Sequence, residues 1–215
     1  MTKKLLFIII CFSSCKTILL NHMIKDPKVE NTKTITSFLT DNNFETTNSL
    51  ILKADTTNVE LQLLKGISTG YYIFDSLGKH ICYKGLATCK GVQFKNLLNN
   101  KVDSFNYCKN DTIQLNKVLD QTYDLNEKNV SISQFPKSKY YIVAYWQKFM
   151  GGRRGYEDAI QWMQNETKNN KDFTFININT DLQEKWGLKP NGKAKIKIKK
   201  SGDNFELTLK DIPVE

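Results

Sequence analysis

The side chains in this sequence best suited to chemistry are its cysteines and histidines. Beyond residue 80 lie Cys82, Cys89 and Cys108, thiols that could pair, attack or ligate. Three cannot all pair within one chain. Cys82 and Cys89 stand close enough in sequence for a loop-closing disulfide, which geometry must decide. They could also be the working pair of a thiol-disulfide oxidoreductase, although their spacing does not fit Cys-x-x-Cys and Cys82 falls in a strand pattern. The histidines are His22 and His80. A tetrahedral metal site wants four compactly spaced ligands, and only Cys82, Cys89 and Cys108 are available to join His80. We therefore expect no metal and no cofactor. No motif supports Ser/His/Asp hydrolysis.

A second feature is Gly151-Gly152-Arg153-Arg154-Gly155. Placed before a helix, such a segment could hold an anion through backbone N–H groups and guanidinium forks, making Arg153 and Arg154 candidate anion- or glycan-binding residues. It lacks the Gly-Lys-Ser/Thr ending of a phosphate loop, and a water-exposed turn is the simpler reading.

The third feature is at the start of the chain. Lys3 and Lys4 precede an apolar run, Leu5 to Phe12. A helix crossing a bilayer needs about 20 residues, so this run suits the core of a secretory signal. Phe12-Ser13-Ser14-Cys15 follows and resembles the lipobox of bacterial lipoproteins, with Phe12 where the pattern usually has an aliphatic residue. The resemblance implies a signal peptide over residues 1–14, acylation of Cys15 with diacylglycerol and palmitate-type chains, and a place in the bacterial cell envelope on either membrane. Two or more acyl chains make such an anchor durable. Residues 15–34 mix Lys, Asn and Thr with few large apolar groups and read as a tether.

The chain carries 31 Lys and Arg against 22 Asp and Glu, a formal charge of +9. The basic residues are spread out, no long Lys/Arg block stands out, and no nucleic-acid partner is expected. The membrane, through Cys15, and an envelope protein are the expected partners.

The elements that must position these groups are clearest in the second half. Tyr140 to Trp146 is a continuous apolar and β-branched run, as in a strand covered on both faces. From Tyr156 to about Lys168 the pattern turns helical, with Tyr156, Ala159, Ile160 and Met163 on one stripe. Phe173 to Ile178 is the next strand, which gives a βαβ unit with parallel pairing. A short helix is predicted over Asp181 to Trp186, ended by Gly187. Lys193, Lys195, Lys197 and Lys199 then alternate with Ala194, Ile196 and Ile198, and Phe205, Leu207 and Leu209 follow a turn. This is a hairpin with one buried face and one lysine face, the latter read as solvated.

Val130-Ser131-Ile132-Ser133-Gln134-Phe135, the strand ending in Tyr145-Trp146, and Asn177-Ile178-Asn179-Thr180-Asp181 resemble TlpA-like thioredoxins. The resemblance covers about Val130 to Leu209 and implies a thioredoxin-like mixed sheet flanked by helices over residues 130–215. The family's Cys-x-x-Cys would fall on Met150-Gly151-Gly152-Arg153. A thioether cannot ionise and Arg has no sulfur, so neither degenerate position can exchange disulfides. The family's cis-proline has only Pro190 as a poor counterpart. The resemblance thus implies a redox-inactive domain used for protein contacts or scaffolding.

In the first half, Ser49–Lys53 reads as a strand and Thr57–Glu60 as a capping box. Tyr71–Phe74 and His80–Tyr83 form a hairpin about Asp75–Gly78, and Val92–Leu98 a helix. Gly66-Ile67 and Tyr72–Lys79 are similar to the same family. Residues 35–125 are accordingly expected to be an N-terminal α/β unit, either a second thioredoxin-like repeat or an accessory subdomain supplying the helix that the second half lacks.

Overall fold

The computed structural model describes residues 25–53, 70–86, 89–99, 104–109, 112–150, 156–201 and 204–215. The elements run β1 (Val29–Glu30), α1 (Thr32–Asp41), β2 (Ser49–Leu52), β3 (Tyr71–Asp75), β4 (His80–Tyr83), α2 (Lys90–Leu98), β5 (Phe105–Tyr107), α3 (Leu115–Leu119) and β6 (Thr122–Asp124). They continue with β7 (Tyr140–Trp146), α4 (Tyr156–Lys168), β8 (Phe173–Asn179), β9 (Leu182–Gln183), β10 (Lys195–Ser201) and β11 (Asn204–Lys210). The predicted capping box at Thr57 lies outside the described residues. None of the described helices is long and apolar enough to cross a membrane.

The fold is α/β, built on a mixed seven-stranded sheet of order β5-β4-β3-β7-β8-β2-β6. β7 and β8 are fully buried, parallel and joined by α4, as their unbroken apolar runs predict. β2 adds parallel to β8, and β3 adds antiparallel to β7. The units expected over 35–125 and 130–215 therefore do not own separate sheets: strands of both halves share this one.

The two halves meet at the centre because of what each strand can bury. The lysine alternation of β10 leaves one face charged, so it cannot lie inside a sheet covered on both sides. β10 and β11 instead form a two-stranded ribbon of their own. The place beside β7 goes to the β3–β4 hairpin, where Ile73 and Phe74 are buried on opposite faces. Its turn is fixed by the Asp75 carboxylate, which accepts from the Leu77 and Lys79 N–H groups, and by Gly78 at φ +76°.

Each face of the sheet has its own core. On one, α1 contributes Ile35 and Leu39, α2 Phe94 and Leu97, and α4 Ile160 and Met163. Phe94 and Trp162 meet edge-to-face at 5.2 Å. The other face is covered by α3 and by irregular segments carrying Val130, Phe135, Trp186 and Ala194.

Part of the stretch expected to be a tether, residues 15–34, is structured instead. From Lys25 onward the chain is pinned: β1 pairs with β9, and Val29 and Glu30 are buried. Asn31 then caps α1, its side chain accepting from Thr34 N–H while the Thr34 hydroxyl accepts from Asn31 N–H. This Asn-x-x-Thr box lies in a stretch whose polarity reads as linker, although Ile35, Phe38 and Leu39 fall at helical spacing and all pack on the core. The helix predicted over Asp181–Trp186 is reduced to one 3-10 turn, Glu184–Trp186, because Leu182 and Gln183 pair with β1. Gly187 ends it in the left-handed region, φ +69°, as expected.

Candidate functional site

In parallel α/β sheets ligands gather beyond the carboxyl ends of the strands. Here that region lies at the ends of β7 and β8, and it holds a closely knit polar cluster. Trp146 ends β7, and its ring N–H donates to Asn177 Oδ1 at 2.9 Å. Asn177 in turn donates to Ser49 Oγ at 2.8 Å. One buried amide thus ties β7, β8 and β2 together.

One turn further out lies Asp181, fully buried. Its carboxylate accepts from the Lys148 backbone N–H at 2.9 and 3.2 Å and from the Asn179 amide at 2.7 Å. Gln183 donates to Asn179 Oδ1 and to the Asp181 carbonyl, and Gln147 donates to Thr180 Oγ1. Burial pushes the Asp181 carboxyl up to about 7. The Lys148 N–H and the Asn179 amide oppose the rise, the charge of Glu30 adds to it, and the Lys148 ammonium opposes it. The group is therefore a carboxyl that exchanges a proton near neutrality.

The Lys148 ammonium is held in place by Glu30 Oε2 at 2.7 Å, with the Phe38 ring 5.5 Å from it. Glu30 belongs to the segment leading into α1, and this segment crosses the mouth of the two strands. Lys25 N–H donates to the Phe149 carbonyl, Val29 N–H to the Gly192 carbonyl, and Ala194 N–H to the Pro27 carbonyl. The chain's own residues 25–30 form a strap beside the carboxyl ends of β7 and β8.

Met150 stands where β7 leaves the sheet, in the 3-10 turn Lys148–Met150, half-buried against the core. Arg153, Arg154 and Cys15 lie outside the described residues, so the anion-binding and acylation expectations are not located. The expected disulfide is corrected: Cys82 pairs with Cys108, and Cys89 is free and exposed. The antiparallel register of β4 and β5 brings Cys108 alongside β4, where its N–H meets the His80 carbonyl. Cys89 is carried away to the start of α2. In this structure Cys82 and Cys89 are therefore not a bonded pair. His80, Cys82 and Cys108 place three ligand atoms within 4.8 Å of one another, but both sulfurs are committed to the bridge.

The sequence did not single out Asp181, Lys148 or Glu30 as partners. A run of Asn, Thr and Asp directly after a buried apolar strand is a legible sign of polar groups at a strand end. Glu30, more than a hundred residues upstream, leaves no such sign. Compared with known proteins, the chain matches no family model, no curated protein and no solved structure.

Proposed function

We propose that this chain is an exported lipoprotein of the bacterial cell envelope, anchored through acyl groups on Cys15. In this reading it carries a redox-inactive thioredoxin-like domain that serves protein contacts or scaffolding. One observation supports the inactive part. The position that the resemblance gives to the attacking thiolate holds Met150, a thioether that cannot ionise, in the 3-10 turn after β7, and the strap is bonded to the same turn at Lys148 and Phe149.

The thioredoxin-like part is supported by strand order. β2-β8-β7-β3-β4 comprises three parallel strands followed by an antiparallel hairpin, with α4 and α2 on the same face. The strand–helix–strand half then comes second in the chain and the hairpin–helix half first. On this view residues 35–125 supply the missing half of a single domain instead of forming a second one.

The deciding measurement is insulin-disulfide reduction in the presence of a dithiol. The chain is expected to add nothing to the rate of the dithiol alone. Turnover abolished by Cys89→Ser would overturn the inactive reading and make the exposed thiol an enzyme's nucleophile. The anchor is tested separately: labelled palmitate should enter the wild-type chain in bacterial cells and not the Cys15→Ser chain.

A further inference from the structure

We infer that the lysine face of the β10–β11 ribbon is a docking surface for anionic phospholipid headgroups, lying against the membrane in which the Cys15 lipid is embedded. The inference rests on the anchoring reading above and extends it to an orientation.

Lys193, Lys195, Lys197 and Lys199 are all exposed. Strand geometry sets them in a row roughly 20 Å long. The opposite side of the ribbon is turned inward: Ala194 and Leu209 are buried and Ile196 packs against the core. The row is widened by its neighbours, since exposed Lys210 is the register partner of Lys195 and exposed Lys28 bridges to Lys193. Acidic residues also lie along it in contact or in register. Asp211 lies 3.4 Å from Lys195, Asp26 accepts from the Ile196 N–H, and Glu206 is the register partner of Lys199.

A row of lysines on a strand is ordinarily just solvated. What gives this one a partner is where the tether leaves the body. Asp26, Pro27 and Lys28 are bonded to Ile196, Ala194 and Lys193 in turn, and Lys25 to the Phe149 carbonyl, so residues 25–28 run between the ribbon and the exit of β7. Cys15 lies ten residues upstream of Lys25, a span of at most about 35 Å. An anchored body is thereby held with this edge toward the bilayer. Anionic headgroups attract basic side chains near the surface strongly enough for a gain of roughly fivefold per lysine, within a Debye length.

The test uses the full chain bearing Cys15→Ser, so that no acyl group contributes, mixed with vesicles of phosphatidylcholine alone or with phosphatidylglycerol added. The apolar segment near the N-terminus, with Lys3 and Lys4, is common to every variant, so the readout is the change in the anionic excess between variants. We expect a clear excess that collapses at high salt and falls roughly twentyfold in Lys195→Gln/Lys197→Gln. A control with the same loss of charge elsewhere, Lys168→Gln/Lys171→Gln, should leave most of it. Absence of an anionic excess, or an equal fall in both double variants, overturns the assignment. Because these chains carry no lipid, a failure here is distinct from a failure of palmitate labelling, which would remove the anchor and leave the ribbon's affinity standing.

Discussion

The backbone N–H of Lys148 donates to both carboxylate oxygens of Asp181, joining the exit of β7 to the exit of β8 inside the protein. The carboxyl that receives this bond has its pKa raised from an ordinary 3.8 to about 7. Between those values the folded state keeps a proton that the unfolded chain has lost. The contribution of Asp181 to stability is thus fully present below about pH 4 and lost as pH rises through about 7. The span corresponds to a few kcal/mol, on the order of one per pH unit. Urea unfolding across this range should show the decline, and Asp181→Asn should flatten it.

The Glu30–Lys148 pair fastens the strap, with side chains 9% and 22% exposed. Removing one partner of a mostly buried pair leaves the other charge without compensation. Glu30→Ala is expected to cost about 1–3 kcal/mol. The amide protons of Lys25 and Val29 should then exchange faster, while those of β7 and β8 keep their relative protection. Unchanged exchange at Lys25 and Val29 would show that the strap is held by its backbone bonds alone.

Asn177 serves two partners at once, Trp146 and Ser49. Asn177→Ala should strand a buried indole N–H and take one donor from the Ser49 hydroxyl, which keeps its own bond to the Glu45 carbonyl, at a cost of about 1–3 kcal/mol. Asn177→Asp should be at least as damaging, since it adds a buried charge that cannot donate to Ser49. Thermal melts of both variants check this.

Alkylation without reduction should label Cys89 and leave Cys82 and Cys108 untouched until a reductant is added, as read by peptide mass spectrometry. The bridge spans a sequence separation of 26 residues, for which loop entropy gives about 3 kcal/mol. Cys108→Ser should lose a comparable amount, and Cys89→Ser almost nothing.

Much of the fold was legible because it follows from burial alone. β7, α4, β8 and the β3–β4 hairpin each carry a period or an apolar run that admits one reading, and all appear where expected. What the sequence concealed is pairing at a distance. Nothing local in Tyr71–Phe74 says that it will lie beside Val143, and nothing in Cys82 says that its partner is Cys108 and not the nearer Cys89. α1 was hidden because its stripe, Ile35, Phe38 and Leu39, is short and follows directly on a polar stretch that reads as linker. The polar cluster at the strand ends was half visible: Asn177, Asn179 and Asp181 stand out after an apolar strand, but the burial that raises the Asp181 pKa depends on the strap, which local pattern reads as linker.

The order in which the sheet is filled bears on how the molecule is made. β2 pairs with β6, β3 with β4 and β4 with β5, yet within the sheet these two groups are separated by β7 and β8, which span residues 140–179. A ribosome that has produced the first 139 residues has made both wings and none of the keel. Such a nascent chain cannot close its core, and the long-range pairings it awaits form slowly. A polypeptide wired this way keeps its sheet open until residue 179 of 215 has been made.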